Sequence, residues 1–323
     1  MIQLRKSLWR GALAAAAIAG FATSASAQME LKLMAPAAPG GGWDQTARSM
    51  QQALTQSGIA KSVQVINVPG AGGSVGIAQF VNSAKGDGNQ LMVMGYVMVG
   101  ALLTNKSPVT LEQTTPIARL TAEYEAIVVP ANSPIKNAQD LAAAVKADPA
   151  KVTWAGGSAG GVDHIAAALF AKAVGADPTK INYIPFSGGG EALAAILGGK
   201  VTAGISGYGE FESQIKAGKL RLIGTTSAAK LPNVDGPSLK EGGVDLEIAN
   251  WRAVVAPPGI SAEQKKALTD AMDRLAKSKE WTETLKAKGW DDAYVSGDAF
   301  AKILADEQAR TKEVLTSVGL VKS

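Results

Sequence analysis

The stretch Pro39-Gly40-Gly41-Gly42-Trp43-Asp44 follows a short apolar run, Leu31–Met34, and leads into a helical pattern of Ala47, Met50 and Leu54. Asp44 is a residue type that favours the start of a helix, and Gly58 is a typical stop. A strand, a glycine-rich loop and a helix in this order form the repeating unit of α/β proteins. The stretch therefore predicts such a unit, with its loop at the carboxyl end of a strand.

The same arrangement recurs along the chain, each time with a loop that contains no lysine: Pro69–Ser74, Gly156–Gly161 and Ser187–Glu191, with shorter versions at Gly95-Tyr96 and Ser206–Gly209. The start of a helix has free N–H groups and the positive end of the helix dipole, so it attracts anions. Glycine lets the backbone approach a ligand closely. Loops of this kind that converge on one point predict a site for a small, multiply charged anion.

Ten apolar runs predict strands, at Leu31–Met34, Val63–Val68, Leu91–Met94, Ile117–Thr121, Ala126–Val129, Val152–Ala155, Ile181–Ile184, Val201–Ile205, Leu220–Thr225 and Ile248–Val255. Helices alternate with them, and three more are expected at Ser261–Lys277, Glu280–Lys288 and Asp298–Thr316. This alternation predicts an α/β protein with mainly parallel sheets flanked by helices. We expect two domains, residues 28–125 with 241–323 and residues 126–240, and a binding site in the cleft between them.

Residues 1–27 have the pattern of an export signal. Arg5, Lys6 and Arg10 precede a short apolar run, and Ala25-Ser26-Ala27 matches a cleavage site, so we expect a periplasmic chain that begins at Gln28. The apolar run is shorter than the ~20 residues that a membrane-spanning helix needs.

The composition excludes several kinds of chemistry. The chain has no cysteine and one histidine, His164, which leaves no thiolate site and little basis for a zinc site. Without the signal segment, 29 of the 32 Lys and Arg residues remain against 28 Asp and Glu, a formal charge of +1. This balance does not indicate nucleic-acid binding. We expect no cofactor and no metal.

A serine hydrolase is an alternative, because Gly156-Gly157-Ser158-Ala159-Gly160 matches G-x-S-x-G between a strand and a helix. The only histidine is six residues beyond Ser158, in the helix that this loop begins. From that position it cannot readily reach the Ser158 hydroxyl while an acid orients its other nitrogen. We therefore interpret the loop as an anion-holding one and His164 as a structural residue.

A dinucleotide site is a second alternative, because Gly70–Gly76 partly matches the glycine fingerprint of such sites. Val75 stands at the sixth position, and Asp87 lies in a Gly-Asp-Gly turn rather than at the end of a strand. No G-x-x-x-x-G-K-[ST] motif exists in the chain, so nucleoside triphosphate binding has no support.

Individual polar and aromatic side chains have two interpretations each. Four acids stand in or just before a first helical turn: Asp44, Asp163, Glu191 and Glu210. Each either caps its helix or reaches a ligand. We favour a contact with the ligand only for Asp163. Four aromatic residues either line the cleft or pack in the core: Trp43, Tyr96, Tyr208 and Trp251. Arg252 interrupts an apolar run, so its partner is either a protein carboxylate or a carboxylate of the ligand.

The chain resembles the extracytoplasmic solute receptors of tripartite tricarboxylate transporters, the Bordetella uptake protein family, and within it the tricarboxylate-receptor branch. The resemblance covers essentially the whole mature chain. It rests on these segments together: Pro39–Asp44, Pro69–Ser74, Ser158–His164, Phe186–Ala192, Asn250–Arg252 and Pro257–Gly259.

The resemblance implies a two-domain periplasmic-binding-protein fold of type II that closes on a carboxylate. It implies that Gly41, Gly42 and Trp43 grip one carboxylate with Gly72, Gly73 and Ser74. Specificity residues on the other side are then Ser158, Ala159, Gly160, Asp163, Ser187, Gly188 and Gly189, with Tyr208 and Arg252 as further contacts. A citrate-like di- or tricarboxylate is the expected ligand. The expected partners are the large and small membrane subunits of a transporter, and the receptor itself is expected to be a monomer. A receptor that feeds a sensor kinase has the same fold and stays open as an alternative.

Overall fold

The computed structural model describes residues 29–187 and 189–322. It has an α/β architecture of ten strands and ten helices of more than one turn within these ranges. The strands are β1 Met29–Ala35, β2 Ala60–Asn67, β3 Gln90–Gly95, β4 Thr115–Pro130, β5 Thr153–Gly156, β6 Asn182–Pro185, β7 Ala203–Gly207, β8 Leu220–Thr225, β9 Ala249–Ala256 and β10 Asp291–Ser296.

The helices follow most of these strands directly. They are α1 Gly42–Gln56, α2 Ser74–Ser83, α3 Tyr96–Thr104, α4 Ala138–Ala147, α5 Val162–Ala173, α6 Gly189–Leu197, α7 Tyr208–Lys216, α8 Ala262–Ala276, α9 Lys279–Lys288 and α10 Gly297–Ser317. A single 3-10 turn, Ala71–Gly73, precedes α2. Across the described ranges, no helix combines the length and the apolar content that crossing a membrane requires.

The strands form one continuous, curled path in the order β2-β1-β3-β9-β4-β7-β5-β6. The outer strands pair in parallel: β1 with β2 and β3, and β5 with β6 and β7. The strands along β4 and β9 pair antiparallel instead. The expected parallel strand–helix units therefore form the two ends of the sheet, and antiparallel strands join them.

Strand β4 belongs to both ends of the sheet. Its first part, to Tyr124, pairs with β9 and β10, and its second part, from Glu125, pairs with β7 and β8. The sequence predicted two strands here, Ile117–Thr121 and Ala126–Val129. They are one strand of 16 residues, because the charged residues between them stay in the ladder instead of turning out into a loop.

Buried apolar side chains form separate clusters on the two ends of the sheet. The larger cluster contains Leu33, Met50, Phe80 and Trp281, and the others contain Trp154 and Phe170 on one face and Phe211 and Ile196 on the other. The larger cluster also takes in Val162 and Ile165 from α5, so the start of this helix packs between the two ends of the sheet.

The predicted helices at Ser261–Lys277, Glu280–Lys288 and Asp298–Thr316 correspond to α8, α9 and α10 within one or two residues. Strand β10 was not predicted. It contains two aspartates and its residues are half-buried or exposed, so it has no apolar run that would indicate a strand. It pairs with β4 at the side of the sheet.

Candidate functional site

The carboxyl ends of β1, β5 and β7 face one cavity of about 610 Å³, its mouth included. Its lining comes from both ends of the sheet, as expected for a ligand site at the carboxyl ends of strands. The lining residues are Pro36, Ala37, Gly41, Gly42, Trp43, Gly70, Ala71, Gly72, Val97, Gly157, Ser158, Asp163, Ser187, Gly189, Ser206, Gly207, Glu210, Asn250 and Arg252.

One side of the cavity is built from the start of α1 and the 3-10 turn before α2, and we call its residues Gly41–Trp43 and Gly70–Gly72 the amide wall. The backbone N–H groups of Gly42, Trp43, Ala71 and Gly72 have no hydrogen-bond partner in the described part of the chain. Gly72 needs its glycine, because its φ of +61° is left-handed and a Cβ would collide with Ala101. The wall thus offers four unpaired donors, two at the positive end of α1 and two in the turn before α2.

The loop before α1 is fixed by Asp44. Its carboxylate accepts a hydrogen bond from the Gly40 N–H at 2.9 Å and another from Asn67 Nδ2, at the end of β2, at 2.9 Å. Arg48 donates to the same carboxylate at 3.0 Å. Asp44 therefore braces the loop and does not line the cavity, which is the capping interpretation of this residue.

The opposite side, which we call the acid wall, contains Gly157, Ser158, Asp163, Ser187, Gly189, Ser206, Gly207 and Glu210. Asp163 accepts a hydrogen bond from the Gly157 N–H at 2.5 Å, which holds the loop before α5 against the helix. The Gly157 carbonyl accepts from the Tyr183 hydroxyl at 2.7 Å. Both carboxyls of the wall belong to first helical turns, and burial raises the pKa of Asp163 to about 6 and that of Glu210 to about 8.

A further acid lies directly behind this wall. Glu125 of β4 is 0% exposed, and its carboxyl is adjacent to that of Asp163. Burial, with the charges of Asp163 and Glu123, raises the pKa of Glu125 well above its usual value. Two adjacent buried carboxyls cannot both be ionised at low cost, which favours a proton on one of the two.

Arg252 of β9 lies between the two walls and is 3% exposed. Its guanidinium forms an ion pair with Glu123 of β4, and the other Glu123 oxygen accepts from Trp290 Nε1 at 3.0 Å. The guanidinium also lies 5.3 Å from the centre of the Trp290 ring. Of the two expected partners of Arg252, the structure shows the protein carboxylate.

No catalytic arrangement is found around Ser158 in the described residues. The His164 Nδ1 accepts from the Gly160 N–H at 3.1 Å, and its ring stacks on Tyr183 at 4.2 Å. Burial lowers the pKa of His164 to about 4. The histidine is thus occupied as a buried helix residue, as the sequence predicted, and is not a base for Ser158.

The cavity contains nine of the predicted site residues: Gly41, Gly42, Trp43, Gly72, Ser158, Asp163, Ser187, Gly189 and Arg252. Five others do not line it: Gly73, Ser74, Ala159, Gly160 and Tyr208. Gly73 packs behind the Trp43 ring, and Ser74 is near Asn105. Ala159 and Gly160 lie against Thr104 of α3. Tyr208 lines a separate cavity beside α9. Gly188 lies outside the described residues, as does the predicted export signal.

The predicted acids and aromatic residues divide in the same way. Glu191 accepts from the Ser187 N–H at 3.1 Å and so caps α6. Glu210 lines the cavity, although we expected this only of Asp163. Tyr96 and Trp251 pack against each other in the core at 6.4 Å, which leaves Trp43 as the aromatic residue of the four that lines this cavity.

Sequence reasoning missed the acids on β4. Glu123 and Glu125 are two residues apart in a strand, so both face one side of the sheet, and that spacing was a usable signal. Asn250 and Ser206 also line the cavity, and both stand in segments that the sequence had already marked.

A cavity lined by unpaired backbone amides at the carboxyl ends of strands is the kind of site that a solute-binding protein has. Comparison with known proteins agrees. The model of the tripartite tricarboxylate transporter family receptor matches residues 45–320, and the chain belongs to this family. Its members are solute-binding receptors rather than enzymes, which confirms both the resemblance and the expectation of no catalysis.

Individual relatives cover most of the chain. The protein BugT of Bordetella pertussis is 29% identical over 313 residues, which is 94% of each chain. The structure of the periplasmic binding protein BugD superposes with a TM-score of 0.81 at 22% identity, over 91% of this chain and 99% of that one. MatC from Rhodopseudomonas palustris, solved with bound malate, superposes with a TM-score of 0.76 at 22% identity, over 89% and 99%. The two structures confirm the fold expected for a periplasmic binding protein.

Proposed function

We propose that this protein is a periplasmic receptor that captures a small carboxylate and delivers it to the membrane subunits of a tripartite transporter. The observation that carries the proposal is the amide wall, where the four unpaired N–H groups of Gly42, Trp43, Ala71 and Gly72 line one cavity. Hydrogen bonds to a charged acceptor are the strong ones, so a carboxylate is the group that these donors fit best.

In this proposal the ligand lies between two domains. We propose that residues 28–125 form the first domain together with the chain from β9 onward, and that the remaining chain forms the second. The expected return at residue 241 moves to β9, because Val244 and Leu246 pack in the cluster that contains Trp154. The amide wall then belongs to the first domain and the acid wall to the second, so that ligand binding draws the two together.

A thermal-shift panel tests the ligand class. The panel contains the tricarboxylate citrate and the dicarboxylates malate, succinate and glutarate, which belong to the ligand class that the resemblance implies. It also contains uncharged sugars of similar size. A ligand at 100 times its Kd raises the free energy of unfolding by about 2.7 kcal/mol, which appears as a higher Tm. We expect carboxylates to raise the Tm and sugars to leave it unchanged; the opposite result would overturn the proposal.

A matched pair of variants locates the carboxylate. A Cβ at Gly42 would collide with the Arg252 guanidinium, whereas a Cβ at Gly190 has open space around it. Gly42→Ala should abolish or strongly reduce the carboxylate shift, and Gly190→Ala should keep it. Equal shifts in both variants would place the carboxylate away from the amide wall.

Delivery to a transporter needs its own test, because a receptor that feeds a sensor kinase has the same fold. Uptake of the radiolabelled ligand should depend on both this receptor and the large and small membrane subunits of its transporter. If deletion of the receptor leaves uptake unchanged but abolishes a transcriptional response to the ligand, the sensing alternative is correct.

A further inference from the structure

Glu125 of β4 is a fully buried acid behind the acid wall. It is 0% exposed and forms no ion pair in the described chain, where the nearby Arg252 pairs with Glu123 instead. When Glu125 is ionised, neither of its carboxyl oxygens has a hydrogen-bond donor in the described residues. A carboxylate without a paired cation or a donor is costly to bury, so the neutral acid is the favoured form of this side chain.

The Asp163 carboxyl is the acceptor that a neutral Glu125 meets. The two carboxyls lie within hydrogen-bond reach of each other, and Asp163 is also buried. One Asp163 oxygen accepts from the Gly157 N–H, so Asp163 keeps a donor when it is ionised, whereas Glu125 has none. A proton held by the pair therefore belongs on Glu125, whose O–H can donate to the second Asp163 oxygen.

The charges around the pair support this position of the proton. Burial raises the pKa of Glu125 well above its usual value, and the neighbouring acids add to this: Asp163, Glu123 and Glu210. The Arg252 charge lowers the same pKa by less. Burial raises the pKa of Asp163 only to about 6, because its hydrogen bonds stabilise the ionised form. Two further titratable side chains beside the pair are uncharged near pH 7: His164 of α5 and Tyr183 of β6.

We propose that Glu125 is a positioning residue of the binding site, a neutral acid that holds the Asp163 carboxylate and through it the loop that carries Ser158. The Gly157 N–H donates to Asp163 at 2.5 Å, and the Gly157 carbonyl accepts from the Tyr183 hydroxyl at 2.7 Å. Gly157 is thus held by its amide and by its carbonyl, and Ser158, the next residue, lines the cavity. The inference rests on the proposed function, in which Ser158 contacts the carboxylate.

The proton on Glu125 determines whether this arrangement is stable. Without it, two adjacent carboxylates repel each other in a buried site, which displaces Asp163 from the Gly157 N–H. A neutral donor of the same shape should therefore replace Glu125, and an apolar side chain of similar size should not.

Two variants at this position separate hydrogen bonding from packing. Glu125→Gln keeps the shape and an N–H donor, so calorimetry should show an affinity within about threefold of that of the unaltered protein. Glu125→Leu fills a similar volume without a donor and should weaken binding about tenfold or more, the equivalent of one displaced hydrogen bond to a charged ligand. The probe is whichever of malate, succinate and glutarate raises the Tm most, and circular dichroism checks the folding of both variants.

A double variant shows whether Glu125 acts through the loop. Ser158→Ala removes the hydroxyl that the loop presents, so Glu125→Leu should weaken binding far less in that background than alone. The effects of independent sites add, whereas those of coupled residues do not. In the background of Ser83→Ala, at a surface serine of α2, the full effect of Glu125→Leu should remain. Additive losses with Ser158→Ala would mean that Glu125 does not position Ser158.

Infrared spectroscopy of the ligand-free protein detects the proton itself. A neutral carboxylic acid has a carbonyl stretching band that a carboxylate lacks, so the unaltered protein should show this band at pH 7. Glu125→Gln should remove part of its intensity. Glu212→Gln, which removes an acid that pairs with the exposed Lys216, should leave the band unchanged. An unchanged band in Glu125→Gln would overturn the inference, even where Glu125→Leu does not fold.

Two results separate the inference from the proposed function. If a dicarboxylate binds and Glu125→Gln weakens its binding as much as Glu125→Leu does, the positioning role is wrong and the carboxylate receptor stands. If no carboxylate binds to the unaltered protein while sugars do, the carboxylate receptor itself is wrong, and the positioning role is wrong with it.

Discussion

The two walls of the cavity have the same backbone design and opposite chemistry. Both are made of glycine-rich loops at helix starts, yet the amide wall has no carboxyl in its lining and the acid wall has Asp163 and Glu210. Helix-start amides favour an anion at either wall. Asp163 and Glu210 make the acid wall less favourable for an anion. Arg252 does not offset their charge, because its guanidinium is paired with Glu123. Backbone geometry therefore gives both walls donors for an anion, and a few buried side chains make the two walls differ.

The ion pair between the walls should give the largest effect. Arg252→Met leaves Glu123 buried without its cation and should lower the free energy of unfolding by about 3–5 kcal/mol, measured by urea denaturation. The control is Arg48→Met, whose half-exposed ion pair with Asp44 should be worth only about 0–1 kcal/mol. If Arg252→Met is as mild as its control but loses ligand binding, the ligand is the main partner of this arginine.

Loss of a hydroxyl from the acid wall should have the next largest effect. Ser158 lies close to Gly72 of the amide wall, and both line the cavity, so its hydroxyl can donate to the same carboxylate. Ser158→Ala should weaken binding about tenfold to a hundredfold in calorimetry, the equivalent of about 1.5–3 kcal/mol. Ser83→Ala, at a surface serine of α2, should change nothing. Unchanged affinity in Ser158→Ala would limit the carboxylate contacts to the amide wall.

A methyl group added to the amide wall should lower the free energy of unfolding. The loss should be similar to or smaller than the binding free energy lost in Ser158→Ala. Gly42→Ala forces the Arg252 guanidinium to move and should cost about 1–3 kcal/mol of unfolding free energy, the usual range for an overpacked site. Gly190→Ala should be neutral or slightly stabilising, because alanine favours a helix over glycine. Equal stability of the two variants would show that the guanidinium has room to shift.

The pH dependence of stability should be the most gradual of these effects, because one group changes the free energy of unfolding by at most about 1.4 kcal/mol per pH unit. The ordinary pKa of a glutamate is near 4.5, and burial raises that of Glu210 to about 8. Between these values the folded protein holds a proton that the unfolded chain has lost, so the stability of the ligand-free protein should fall as the pH rises from about 4.5 to 8. Glu210→Gln should flatten this decline. A decline of the same steepness in the variant would assign it to the Asp163–Glu125 pair.

Local pattern was sufficient for most of the fold. The Leu31–Met34 run lies within β1, and the helix predicted after Asp44 is α1, because a buried strand and an amphipathic helix leave a clear mark in a single sequence. The sequence pattern gave the wrong strand boundaries where contacts between distant parts of the chain determine the structure. The acids Glu123 and Glu125 made β4 resemble two strands with a loop between them, yet both are buried in the sheet.

The site was predictable to the same degree. The helix-start loops marked the cavity, since glycine-rich loops at the carboxyl ends of strands have few structural uses. Sequence alone could not show that Gly73 and Ser74 turn away from the cavity, or that Arg252 meets Glu123 from a strand 129 residues earlier. Pairing across such a distance depends on the register between β4 and β9, which no local pattern specifies.

Identification of the natural ligand tests the account most directly. The protein is purified from the periplasm without denaturation, native mass spectrometry measures the complex, and the released solute is identified by accurate mass. We predict a small organic acid with a carboxyl group that the amide wall can hold. A bound sugar or another solute without a carboxyl group would contradict the account.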